Sequence, residues 1–399
     1  MKRRCNKIVR IRVGIRLSFY ARNDNCTKIL GVAALTQYPN VSCTFINSSD
    51  GTNLQNSSGS VQIFKQEVMK SNLFRPVWIY CCPLEGARSS FEKTPKIDIL
   101  LKTSSNRDYY QPRIEVNKEM YPDNTGPVLY KMGMCIQPLY NYEDPIGLAE
   151  WIEYHKILGV EHFTFYNLSI GAETSKLLFS YGNQIKIMQW TLPFDPKLIK
   201  YYGQVVQIND CIYRYRGIAE FVGLTDVDEF IVPGSKYLND FTSYHNLFQE
   251  IFSAYEILNQ KPISAIIVTS RFSFSNFPHN YDVTSSSVLS QKLRILTCTN
   301  TASSGNFIYK SKVILRPKLV QEEEVRWPTV VVSGTEQIYL DEEHVHFIHY
   351  RPCSQDYLKL YCIKNCSTCD NINYTNDTSI ARRFGGMLLQ NVKQRLGYL

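Results

Sequence analysis

The stretch Gly223-Leu224-Thr225-Asp226-Val227-Asp228-Glu229-Phe230-Ile231-Val232-Pro233 decides how the chain is read. Phe221, Val222 and Leu224 lead in, Phe230, Ile231 and Val232 lead out, and Pro233 stops the run. That is the pattern of a buried strand ending in carboxylates. Asp226, Asp228 and Glu229 sit inside this apolar run, and burying them requires a cation or a hydrogen-bond network. Asp226 and Asp228 are two residues apart, so an extended backbone points them to one side. Two carboxylates on one side suit a hard divalent cation, magnesium or manganese, that completes its shell with water and substrate phosphates. The sharp reading is a metal bridge to a nucleotide diphosphate. The bland one is a charged turn between two strands.

At 399 residues the chain exceeds one core, and two domains are expected. A hydrophobic content of 44% with 20% charged residues excludes a disordered chain. The net charge is +8, and Lys2, Arg3, Arg4, Lys7, Arg10, Arg12 and Arg16 cluster at the start. The remainder is near neutral, which argues against a nucleic-acid surface spread over the fold. The 12 cysteines accompany Asn-x-Ser/Thr sequons at Asn25, Asn40, Asn47, Asn56, Asn167, Asn365, Asn373 and Asn376. Together they point to an oxidising, glycosylating compartment, with a cytosolic protein carrying free thiols as the alternative. No stretch is long and apolar enough to span a membrane, and residues 1–20 lack the continuous apolar core of a signal peptide.

Residues 10–120 read as β-rich. Short runs at Arg12–Tyr20, Ile29–Thr36, Val41–Ile46, Val61–Phe64, Pro76–Cys81 and Lys96–Leu101 are separated by polar clusters, of which Asn47–Ser60 reads as a long loop. Cys43 is placed to pair with Cys81 or Cys82, and spacing leaves that choice open. A turn-rich hinge at Tyr121–Pro127 sets the boundaries: a β-rich domain over 1–125, a second domain over 126–352, and a Cys- and sequon-rich tail over 353–399 packed on the second domain. The second domain alternates strand and helix. Strands are expected at Lys131–Leu139, Val160–Tyr166 and Ile185–Trp190, and helices at Ile146–Leu158, Thr174–Tyr181 and Tyr201–Phe221. This predicts parallel pairing in an α/β sheet, with the acids at a strand end where such sheets bind ligands. A helix over Leu238–Asn259 follows, then strands at Ala265–Thr269, Lys312–Leu315, Thr329–Val332 and His344–Tyr350, with an aromatic-rich segment at Arg271–Pro278.

Five stretches, in this order and spacing, resemble glycosyltransferase family 92. They are Cys135-Ile-Gln-Pro-Leu-Tyr-Asn141, Glu150-Trp-Ile-Glu-Tyr-His155 with Leu158-Gly-Val-Glu-His-Phe163, Asn209-Asp-Cys-Ile-Tyr-Arg214, Thr225-Asp-Val-Asp-Glu-Phe-Ile-Val-Pro233, and His349-Tyr-Arg351. The resemblance spans roughly residues 127–352. It implies an α/β fold of the GT-A nucleotide-sugar-binding type, a Rossmann-like mixed sheet, here preceded by the β-rich domain. It also implies an inverting transfer of galactose from UDP-galactose to a glycan acceptor, the core fucose of N-glycans being the family's suggestion. Manganese(II), or magnesium, would sit on Asp226, Asp228 and His349. His346 competes for the third place, but two residues on one strand three apart face opposite ways. A Golgi or other secretory lumen and a membrane association are further expectations from the family. One departure is visible: the histidine that the family often carries in the strand after Arg316-Pro317 is replaced here by Val325-Arg-Trp-Pro328.

Asp226, Asp228 and Glu229 are the catalytic candidates, with Glu229 or Asp282 the guesses for the base that deprotonates the acceptor. Asn141, Glu150, His155, Asn209, Asp210 and Arg214 are the candidate substrate contacts. Each has a plain alternative: a core histidine at 155, a solvated helix acid at 150, an ion pair within the helix at 214. Cys362, Cys366 and Cys369 have spacing that allows zinc, but disulfides suit them better. The alternative function is a glycan- or nucleotide-sugar-binding protein that kept the fold without turnover.

Overall fold

The computed structural model describes residues 14–21, 26–34, 41–64, 74–84, 97–103, 113–115, 127–192, 194–279, 287–303, 311–353 and 372–397. They form two compact units, one of residues 1–126 with 191–217 and one of residues 127–190 with 218–399.

The first unit is built on a seven-stranded antiparallel sheet. Its strands are β1 (Gly14–Ala21), β2 (Cys26–Ala34), β3 (Val41–Asn47), β4 (Asn53–Ile63), β5 (Phe74–Cys81), β6 (Ile97–Thr103) and β7 (Arg113–Glu115), in the order β1-β2-β5-β4-β3-β6-β7. The β-rich reading holds. The polar loop expected at Asn47–Ser60 is instead largely β4, because pairing with β3 on one side and β5 on the other outweighs the weak strand propensity of Asn, Ser and Gly. Cys43 is joined to Cys81 and Cys26 to Cys82. A Cβ on Gly59 would lie 2.9 Å from Cys43 Sγ, so β4 carries glycine where the disulfide lies.

The second unit centres on a seven-stranded mixed sheet. Four strands are parallel: β8 (Tyr130–Leu139), β9 (His162–Asn167), β10 (Ile185–Gln189) and β11 (Ala219–Thr225). Helix α1 (Pro145–Ile157) links β8 to β9 and α2 (Ala172–Ser180) follows β9, as the alternation predicts. Pro145 opens α1, and the Asp144 side chain caps it by accepting from the Gly147 N–H at 2.9 Å. The expected helix Tyr201–Phe221 is only α3 (Gln204–Tyr215), which belongs to the first unit. Gly217, at φ 72°, turns the chain out of the helix and β11 begins at Ala219.

Strand β12 (Glu229–Pro233) leaves β11 for a second sheet, and α4 (Tyr244–Asn259) starts at the Ser243 cap rather than at Leu238. The aromatic segment holds β14 (Ser270–Phe274), after β13 (Ile263–Val268), and a short helix α5 (Arg294–Thr297) precedes β15 (Asn300–Ser303). Then come β16 (Lys312–Leu315), β17 (Val320–Glu323), β18 (Pro328–Val331), β19 (Glu336–Leu340), β20 (Val345–Arg351) and β21 (Thr375–Asn376). The main sheet runs β10-β9-β8-β11-β16-β13-β19, and the second β12-β20-β14-β15-β21. The chain ends in α6 (Ser379–Leu396), a helix absent from the sequence reading, whose buried face includes Ile380, Ala381, Leu388 and Val392. It packs on α1, where Arg395 lies 3.4 Å from Glu153. Cys362, Cys366, Cys369 and Asp282 lie outside the described residues.

Candidate active site

The acids fall at the carboxyl end of β11, beside the corresponding end of β8, with Thr225 level with Ile136. A Cβ on Gly223 would lie 2.6 Å from Met134 Sδ, so glycine lets β11 and β8 approach closely just before the acids. The turn Asp226–Glu229 closes with the Glu229 N–H donating to Asp226 O at 3.1 Å. β12 then pairs antiparallel with β20, which sets Glu229 opposite His349.

This register gathers four of the expected residues. His349 Nε2 lies 3.1 Å from Asp228 Oδ2, and its Nδ1 lies 3.2 Å from Glu229 Oε1. Phe272, level with His349 on β14, stacks on its ring at 5.4 Å. His346 faces away, its Nδ1 3.1 Å from Glu342 O, and burial with the Arg271 charge lowers it to about 4. Of the two histidines, His349 is the one that lies beside Asp228 and Glu229.

A residue that the sequence reading did not single out completes the cluster. Lys312, at the start of β16, places Nζ 3.1 Å from Asp226 Oδ2 and 2.7 Å from Glu229 Oε2, with its side chain 8% exposed. Burial opposes its charge, but Asp226 and Glu229 outweigh that and hold its pKa up. Burial raises Asp226 to about 6, against the pull of Lys312 and with a further push from Glu229 and Asp228. Asp228 behaves differently. Burial pushes it up, yet the bond and charge of His349, with Lys312, hold it below the ordinary carboxylate value. Asp228 is also the most exposed of the acids, at 36% of its side chain against 18% for Asp226 and 2% for Glu229.

Glu229 is spent internally. Besides Lys312 and His349 it accepts the Asp226 N–H at 3.0 Å. Among the described residues no group of three His, Cys, Asp or Glu side chains is disposed to hold a metal ion unaided. What the structure provides is a pair, Asp228 and His349, with an oxygen and a nitrogen 3.1 Å apart at a strand end. Such a pair fits a cation that draws the rest of its shell from phosphate and water.

The other candidates separate into three places. Asn141, with φ 48°, sits just past β8 and is exposed, its N–H donating to Ser169 Oγ at 2.7 Å. Glu150, His155 and their neighbours on α1 are buried behind β12. His155 donates from Nδ1 to Trp151 O at 2.8 Å and accepts the Ile231 N–H on Nε2 at 3.4 Å. Burial drives it down to about 3, so it is a neutral support of β12. Glu150 accepts the Ile295 N–H at 2.7 Å, while its Oε2 has no hydrogen-bond partner among the described residues, and burial raises it to about 7. Asn209, Asp210 and Arg214 lie on α3 in the other unit. There Asn209 donates to Val205 O at 2.8 Å and Arg214 pairs with Asp210 at 2.8 Å.

Residues 130–388 match glycosyltransferase family 92, well over half of the chain, and the chain belongs to that family. Its mixed α/β architecture with a β-rich first unit is the fold class expected from the sequence. A Caenorhabditis elegans protein named beta-1,4-galactosyltransferase galt-1 is 30% identical over 169 residues, which cover 41% of this chain and 39% of that protein. The Arabidopsis thaliana galactan beta-1,4-galactosyltransferase GALS2 is 28% identical over 36% of this chain and 27% of its own length. The chain thus spans well under half the length of these curated relatives. Among solved structures, S. aureus TarS 1-349 in complex with UDP has a TM-score of 0.30 at 14% identity, covering 58% of this chain and 63% of that one.

Proposed function

We propose that this chain transfers galactose from UDP-galactose to a glycan acceptor with inversion at the anomeric carbon. The carrying observation is the meeting of Asp228 and His349 at the carboxyl end of β11. Family membership and the galactosyltransferase names of the two relatives support the sugar and the reaction class. In the transfer an acceptor hydroxyl oxygen bonds to C1 of galactose, the bond from C1 to the UDP oxygen breaks, and the hydroxyl proton passes to a base. The leaving diphosphate gathers negative charge, which a divalent cation, manganese(II) first and magnesium second, would stabilise there.

Asp228 Oδ2 and His349 Nε2 are the ligands we assign, with Asp226 adjacent. Glu229 faces the other ring nitrogen of His349 at 3.2 Å and holds that ring in its ligating orientation, as carboxylates do behind metal-bound histidines. It is a positioning residue in this reading rather than the base. The acceptor we favour carries the core fucose of an N-glycan, and the setting is a secretory lumen, a reading that the disulfides Cys26–Cys82 and Cys43–Cys81 support. No described helix is long and apolar enough to cross a membrane.

The test is a screen of UDP-sugars with manganese(II), scored by mass shift on a defined N-glycan with and without core fucose. A gain of one hexose from UDP-galactose alone, on the fucosylated glycan, is the expected result. No mass shift with any UDP-sugar would refute the proposal.

A further inference from the structure

Lys312 is chemically out of place. β16 continues Val313-Ile314-Leu315, all buried, and the strand is flanked on both sides in the main sheet by β11 and β13. An ammonium at its head is costly unless it is paired on the spot. The register shows why it is tolerated. Val313 is level with Leu224 on β11, so Lys312 comes level with the carboxyl end of that strand, where Asp226 and Glu229 wait at 3.1 and 2.7 Å. Glu229 is at the same time fixed by the Asp226 N–H and by His349 Nδ1. The four side chains form a chain of contacts: Asp226, Lys312, Glu229, His349. Asp228 joins only at the far end, through His349 Nε2.

The two aspartates of the Asp-x-Asp pair are therefore not equivalent. One already has a resident cation, and a second cation on the same carboxylate would be repelled by the first. The other, 36% exposed, faces a histidine nitrogen. We propose that Lys312 is the fixed cation of this site, holding Asp226 and Glu229 in place and leaving Asp228 and His349 as the only protein ligands of an exchangeable divalent metal. The proposal rests on the metal-dependent reading above and deepens it. It also assigns the metal a two-ligand seat, so that its retention depends on the UDP diphosphate filling the shell.

The experiment measures binding of manganese(II), alone and with UDP, by the loss of its free electron-paramagnetic signal, in full-length wild type, Asp226→Asn, Asp228→Asn, Lys312→Met and the double variant Asp226→Asn/Lys312→Met. Asp226→Asn is expected to bind within about threefold of wild type, and Asp228→Asn at least thirtyfold more weakly. Lys312→Met frees Asp226 and should tighten binding by about tenfold, a gain the double variant loses. Should Lys312→Met fold poorly, the comparison of the two aspartate variants decides alone. Equal losses in Asp226→Asn and Asp228→Asn would overturn the proposal and leave the metal reading standing. Binding that is absent in wild type, with and without UDP, and appears only in Lys312→Met would overturn both, since Asp228 and His349 would then hold no metal beside the resident ammonium. Absence of binding in every form would overturn both.

Discussion

The two edges of β12 show opposite ways of satisfying a buried strand beside a charged site. Along one edge the strand pairs with β20, and the side chains at the end of that ladder are ionic: Glu229 and His349, with Asp228 next to them. Along the other edge no strand follows among the described residues, and α1 and α4 supply neutral partners. Trp151 Nε1 donates to Glu229 O at 2.7 Å, the Tyr154 and Tyr244 hydroxyls donate to Ile231 O at 2.9 and 2.7 Å, and His155 accepts the Ile231 N–H. Each edge thus uses a histidine. His349 works against carboxylates, whereas His155 works against a backbone amide and is driven towards the neutral form. A histidine's role is set by what its nitrogens face, which its spacing along the chain does not reveal.

If the neutral edge is a scaffold, breaking it should affect stability first. Trp151→Ala removes a fully buried indole and its bond to Glu229 O, and should cost about 3–5 kcal/mol in denaturant unfolding. A loss under about 1 kcal/mol would mean that α1 does not hold β12.

The two tyrosines sharpen the same comparison. Tyr154→Phe or Tyr244→Phe alone should cost about 1 kcal/mol, since Ile231 O keeps the other hydroxyl. Together they should cost more than the sum, because a buried carbonyl is then orphaned. Strict additivity in a double-mutant cycle would contradict the shared acceptor.

The smallest effect concerns pH. His155 and His346 fold with pKa values of about 3 and 4, below 6.5, so between those limits the unfolded chain binds more protons and stability falls as pH falls. Glu150, at about 7 against 4.5, runs the other way: the folded state takes its proton first, and its contribution grows as pH falls from 7 towards 4.5. Asp226, at about 6 against 3.8, adds to Glu150. Wild type should therefore change little between pH 6.5 and about 5.5, while Glu150→Gln exposes the histidine slope and loses about 1 kcal/mol over that interval. Identical pH profiles for the two proteins would remove Glu150 from this balance.

Much of this was legible in the sequence. β8, α1, β9 and β16 lie within two residues of their expected bounds, because apolar periodicity is clear there, although Pro145, the residue before the expected start, is what opens α1. Asp226, Asp228, Glu229 and His349 were singled out together. What the sequence hid is what depends on pairing. β4 looks like a loop because its stability comes from neighbours on both sides. α3 reads as part of the α/β half, yet packs with the first unit, where Tyr213 meets Trp78 at 5.2 Å. α6 was missed because glycines and arginines interrupt its apolar stripe. Lys312 left one usable trace, a lone charge heading an apolar strand, which is the same anomaly that drew attention to Asp226.

The most direct measurement of the central claim is UDP-galactose turnover against manganese(II) concentration for wild type and Asp228→Asn, with thermal unfolding measured alongside. With the metal seated as proposed, turnover is expected to fall by about a hundredfold or more with stability nearly unchanged, since the substitution keeps shape and removes the charge on the assigned ligand. Wild-type turnover and metal dependence in Asp228→Asn would contradict it, and the acids at 226–229 would then be a structural network around Lys312.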